Sequence, residues 1–134
     1  MSIFHTAVRL RIAMTYMLLI YTPDIGRDRT DEEWAEMAGP FVAYNEYVKA
    51  SGFYVDGSPL AELSTATTVR IRDGKRVITD GPFAETKEFL GGFYMVDCPS
   101  IDQAIELAAA CPAAAFGSIE VRPVMDGPTS ADAG

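Results

Sequence analysis

The spacing of apolar residues changes several times along the chain, and each change predicts an element. The stretch TYMLLIYT at 15–22 is apolar at odd and even positions alike, as a central strand covered on both sides requires. A polar loop, TPDIGRD, follows it. TDEE at 30–33 then has the form of a capping box, with Thr30 as cap and Glu33 reaching back. Trp34, Met37, Ala38, Phe41, Asn45 and Val48 recur at helical spacing behind it, and Trp34 and Phe41 read as core. Gly39–Pro40 interrupts that pattern and predicts a kink or a break, because proline lacks an amide donor and crowds the preceding turn. Gly52 predicts the end of the helix.

Period-two patterning dominates the next third. FYVDGSPL at 53–60 reads as a strand with a turn inside it. ATTVRIRDGKRVIT at 66–79 predicts a hairpin, with Asp73–Gly74 as a two-residue turn whose positions tolerate positive φ. DGPF at 80–83 marks a further turn, and LGGFYMVD at 90–97 a second buried strand. Ser100 and Gln103 suggest another capping box. It opens a helix with Ile101, Ala104, Ile105, Ala108 and Cys111 on one face, stopped by Pro112. The last strand, GSIEVRPV, carries Pro123, which cannot donate a ladder bond, so it belongs at a sheet edge.

The order is βαβ, an inserted hairpin, then βαβ. Split βαβ units of this kind build a ferredoxin-like α+β sandwich with an antiparallel sheet. In it the first strand and the strand at 90–97 are central. Helices cover one face of the sheet. The other face carries too many apolar residues for water, so a twofold homodimer is expected to hide it.

Composition narrows the partners. The 134 residues suit one domain, and the net charge is −8. The one tight basic group is Arg70, Arg72, Lys75 and Arg76, which flanks the hairpin turn, so nucleic acid is a poor fit as a direct partner. Cys98 and Cys111 fall at opposite ends of the second helix, too far apart for a bridge, and read as reduced thiols of a cytoplasmic protein. The apolar run near the N-terminus is too short to span a membrane and has no small-residue cleavage site. Met14 could itself be the start, which would leave residues 1–13 as an extension and His5 as a passenger. Residues 128–134 read as a flexible tail.

Chemistry is weakly signalled. There is no GxGxxG and no GxxxxGK[ST]. With one histidine, a conventional zinc site or a Ser–His–Asp triad is not expected, and no cofactor is indicated. What remains is a carboxylate and cation group, Asp80, Glu85, Lys87 and Glu88, beside Arg70 of the hairpin. Brought together, these could hold a carboxylate tuned for acid–base work. Asp80 is the catalytic candidate, and Tyr21, Arg70, Glu85 and Lys87 are the ligand-binding candidates. The plain alternative is that Asp80 caps a turn while Glu85, Lys87 and Glu88 form a solvated face.

The segments YMLLIY, ATTVRIRDGK, ITDGPFAETKE, LGGFY and GSIEVRPV resemble the YCII-related family, its DGPF-domain branch in particular, over a domain at 14–127. The resemblance implies a ferredoxin-like fold, a homodimer with sheets facing, and a cleft near the interface. Members of the wider group are proposed to use a His–Asp pair, and a few act on small aromatic or lactone-like compounds without metal. The matching helix segment here, FVAYNEYV, has no histidine. DGPF members are often associated with extracytoplasmic-function sigma factors, which implies a regulatory or accessory role. Two readings stay open: a homodimeric module that binds a small ligand or a protein, and a cofactor-independent enzyme acting on a small polar or aromatic substrate.

Overall fold

The structure is a computed structural model, and it describes residues 14–24, 29–83 and 86–125. Six strands and two helices follow the expected order: β1 (Met14–Thr22), α1 (Asp31–Ala50), β2 (Tyr54–Pro59), β3 (Thr67–Arg72), β4 (Lys75–Asp80), β5 (Phe89–Cys98), α2 (Ile101–Ala109) and β6 (Ser118–Pro123). The main sheet has strand order β2-β5-β1-β6, with every neighbouring pair antiparallel. This is the ferredoxin-like arrangement: the two most apolar strands are central, and the proline-bearing β6 lies at the edge. Among the described residues, strands β3 and β4 pair only with each other, as a separate hairpin. Its turn places Asp73 at φ 54° and Gly74 at φ 73°, the left-handed pair that matches strand twist in a two-residue loop.

Both helices lie on one face of the sheet. The core beneath them is built from Tyr16, Leu18, Tyr44, Val48, Val96, Cys98, Ala104, Leu107, Ala108, Cys111 and Ala113. Small alanines on α2 let that helix approach the sheet closely. The Thr30–Glu33 capping box forms with both reciprocal bonds.

Five expectations are corrected. Of the kink or break expected at Gly39–Pro40, the break does not occur: helix α1 runs through Pro40. The carbonyl that proline leaves without its amide belongs to Glu36, on an exposed stretch where water can take the bond. Trp34 is not core: it is 38% exposed, and the burial of α1 comes from Tyr44 and Val48 in its second half. On α2 the buried face is Ala104, Leu107 and Ala108, with Cys111 buried just beyond its end, while Ile101 and Ile105 are 44% and 48% exposed. Ser100 occupies the cap position of α2 in extended backbone, yet its side chain makes no capping bond. Strand β2 also holds no internal turn; a bulge between Tyr54 and Asp56 absorbs the irregularity.

Candidate functional site

The face of the main sheet that points away from the helices is the largest chemical feature left after the core is assigned. Strand alternation sends Tyr16, Leu18, Val96 and Cys98 into the core. Their neighbours Met17, Leu19, Tyr21, Phe93 and Met95 therefore face the other way, and each is half-buried. The register aligns these residues in rows across four strands. One row runs Asp56, Met95, Met17, Arg122. The next runs Ser58, Phe93, Leu19, Glu120. A third holds Leu90, Tyr21 and Ser118. The first two rows are apolar on the central strands and polar at both edges.

Polar contacts border this surface. The Thr15 hydroxyl donates to Asp97 at 2.5 Å at one end of the central pair. Along the β6 edge, Arg122 donates through Nε (3.0 Å) and Nη2 (2.5 Å) to the same Glu120 oxygen. That hydrogen bond, with Glu120's charge, holds the Arg122 guanidinium still more firmly protonated than usual; Tyr21 adds a smaller electrostatic contribution. The Ser118 hydroxyl donates to Glu88 at 2.8 Å, beside Tyr21 in the register.

The candidate residues fall in different places. Tyr21 lies on the open sheet face, near its β6 rim. Arg70 and Asp80 lie on the hairpin, on opposite sides of it: Asp80 is paired with Thr67, and Arg70 is three residues further along the same strand. The Arg70 guanidinium donates from Nη2 to the Phe83 carbonyl at 2.9 Å, so it braces the turn that follows β4. The same turn is held by the Gly81 amide on the Ala66 carbonyl (2.7 Å) and by the Thr68 hydroxyl on the Gly81 carbonyl (2.7 Å). Gly81 supplies the positive φ of 95°. Asp80 is exposed, and among the described residues its carboxylate takes no part in these bonds. Lys87 is exposed, and Glu85 lies outside the described residues. The structure thus places Arg70 and Asp80 on opposite faces of the hairpin and Tyr21 on the main sheet.

Sequence reasoning did not single out Arg122, Glu120, Ser118 or the Met17–Met95 row. The signal for the β6 residues was the alternation of Ser118, Glu120 and Arg122 with Ile119 and Val121, one wet face and one dry. Both cysteines are free and buried, and burial raises both thiols above their usual range, so neither is poised as a nucleophile. Among the described residues no three His, Cys, Asp or Glu side chains gather as a metal would need. No helix of those residues is long and apolar enough to cross a membrane.

Fold and surface together define a ferredoxin-like α+β protein whose sheet carries an open apolar stripe between two polar rims. A family model described as the YCII-related domain matches residues 14–127, and the chain belongs to that family. It is 36% identical over 118 residues to an uncharacterised protein of Rhizobium meliloti (strain 1021), an alignment covering 83% of this chain and 92% of that protein.

Proposed function

We propose that the chain is a homodimeric binding module rather than an enzyme, with the open sheet faces of two copies packed together and a small polar ligand held where the seam meets its rim. One observation carries this: the cross-strand rows are apolar at the centre and polar at both edges. That is the anatomy of a protein interface, a dry core inside a wet rim. A twofold contact would bury Met17, Leu19, Phe93 and Met95 against their own copies. It would leave Tyr21, Arg122 and the Glu88–Ser118 pair at the border. A phenol, a guanidinium and a carboxylate there offer donors and an acceptor for a polar or anionic molecule.

The reading against catalysis rests on the hairpin. Arg70 is occupied by the Phe83 carbonyl and faces away from Asp80, so the two do not form an acid–anchor pair within one protomer. Sedimentation equilibrium of the wild-type chain and of Leu19→Glu is the test. A dimer that Leu19→Glu dissociates into folded monomers supports the proposal; a folded wild-type monomer at micromolar concentration rejects it. A thermal-shift screen of small anions and aromatic acids then tests the rim, with Arg122→Gln expected to abolish any hit.

A further inference from the structure

The β3–β4 hairpin is the part of the molecule least explained by its own fold. It forms its own two-stranded sheet, and hairpins of that size are marginal in water without something to pack on. One of its sides presents Val69, Ile71 and Ile78, which are 60%, 61% and 58% exposed. Val69 and Ile78 are directly paired, and Ile71 lies two residues along, so the three make one continuous apolar surface. At its tip stand Arg72, Lys75 and Arg76, all exposed; Arg76, paired with Ile71, is on the apolar side, and Arg72 and Lys75 are on the other. The hairpin holds four of the chain's eleven basic residues and two of its nineteen acids. The rest of the chain therefore has seven bases against seventeen acids.

That imbalance decides what covers the hairpin. An anionic membrane or a nucleic acid would be drawn to the tip but repelled by the acidic remainder of the same molecule. A second copy of this chain is itself an acidic surface, and it offers the same complementarity twice in a twofold pair. The hairpin also springs from the correct place. The chain leaving β2 is tied to β5 by the Leu60 amide on the Gly91 carbonyl at 2.9 Å. At the same end of the sheet are Tyr21 and Leu90, in the third row of the open face. Phe83, 76% exposed, follows the hairpin directly. The apolar hairpin side is thus rooted at the border of the surface that a twin would occupy.

We infer that the β3–β4 hairpin is an exchanged arm: in the dimer, each copy lays its Val69–Ile71–Ile78 side on the acidic body of the other, with Arg76, which is paired with Ile71 on that same side, as the electrostatic anchor. The inference rests on the dimer proposed above and adds a second, separable contact to it. The arms make association salt-sensitive, which a purely apolar sheet-to-sheet seam would not be.

The test uses the full chain in three forms: wild type, Ile71→Glu/Ile78→Glu, and Leu19→Glu. The hairpin changes lie on exposed positions, so the core is left intact, and circular dichroism checks this. Sedimentation equilibrium is expected to show the dimer dissociation constant of the hairpin variant raised about tenfold or more. Hydrogen exchange of the hairpin amides is expected to be slow in the wild-type dimer and fast in the Leu19→Glu monomer. A wild-type dimer whose strength ignores the hairpin substitutions, with hairpin exchange equal in dimer and monomer, overturns the arm and leaves the sheet-face contact standing. A monomeric wild type overturns both.

Discussion

The Tyr44 hydroxyl, on α1, donates to the Leu107 carbonyl, on α2, at 2.7 Å in the buried core. Leu107 lies in the last turn of α2, where carbonyls lose their intrahelical partners. The Cys111 amide that would serve it turns instead to Ala108 at 3.1 Å. One phenol thus satisfies a buried helix end and ties the two helices together across the sheet. Its ring packs edge-on against Tyr94, with centroids 5.5 Å apart.

Tyr44→Phe keeps that ring contact and removes only the donor. The Leu107 carbonyl would be left buried without its partner, at a cost of about 1–3 kcal/mol. Urea denaturation followed by tryptophan fluorescence and circular dichroism should show the loss as a lower midpoint at unchanged slope. A midpoint shift within error would mean that another group reaches the Leu107 carbonyl.

The same cluster makes stability fall at alkaline pH. Burial, then the neighbouring Cys111, raises the Tyr94 and Tyr44 hydroxyls above their ordinary 10.0. Burial also raises the Cys98 and Cys111 thiols above 9.0, with backbone amides of Ala113 and Ala114 partly opposing it at Cys111. Each group keeps its proton to higher pH in the folded state than in the unfolded. Well below pH 9.0 both states hold these protons and the groups contribute no pH dependence. Above it the unfolded chain releases them first, so stability falls as pH rises. Denaturation midpoints measured from pH 8 upward should decline from near 9, and native thiols should react slowly with a thiol reagent until the protein unfolds.

Gly117 precedes β6 at a point where the chain touches β1. A Cβ there would lie 2.2 Å from the Tyr21 carbonyl oxygen and 3.1 Å from Thr22 Cα, both backbone atoms of a central strand. Neither can move aside as a flexible side chain would. Gly117→Ala should therefore destabilise by about 1–3 kcal/mol or more, as overpacking does, and should disturb the Tyr21 end of the open face. Heteronuclear spectra should show the largest changes at residues 21, 22 and 118; wild-type stability would contradict the close approach.

The legibility of the sequence followed the range of the interaction involved. Capping at Thr30, the Asp73–Gly74 turn and the edge position of Pro123 are dictated within a few residues, and each appears in the structure. Trp34, Ile101 and Ile105 were misplaced because helical spacing shows that a stripe exists but not which side of it meets the sheet. On α2 the buried face went to Ala104, Leu107 and Ala108, and the two isoleucines stayed outside it. The candidate site was the least legible part. Proximity in sequence joined Arg70, Asp80 and Lys87, whereas strand alternation separates Arg70 from Asp80, and the residues lining the open face come from four strands.

The turn after β4 separates two roles that the sequence allowed for Asp80. If Arg70, Thr68 and Gly81 hold the turn, as their bonds indicate, then removing the Arg70 donor should loosen it and neutralising Asp80 should not. Arg70→Met keeps the aliphatic stem and deletes the bond to Phe83. Because Phe83 is exposed, water can replace the lost partner, so the cost belongs at the low end, about 0.5–1 kcal/mol. Hydrogen exchange of the Gly81 and Phe83 amides should quicken in Arg70→Met while the global denaturation midpoint barely moves. Asp80→Asn should leave both quantities unchanged. The opposite pattern, with Asp80→Asn loosening the turn and Arg70→Met silent, would make the aspartate the bracing residue and free the guanidinium for a ligand.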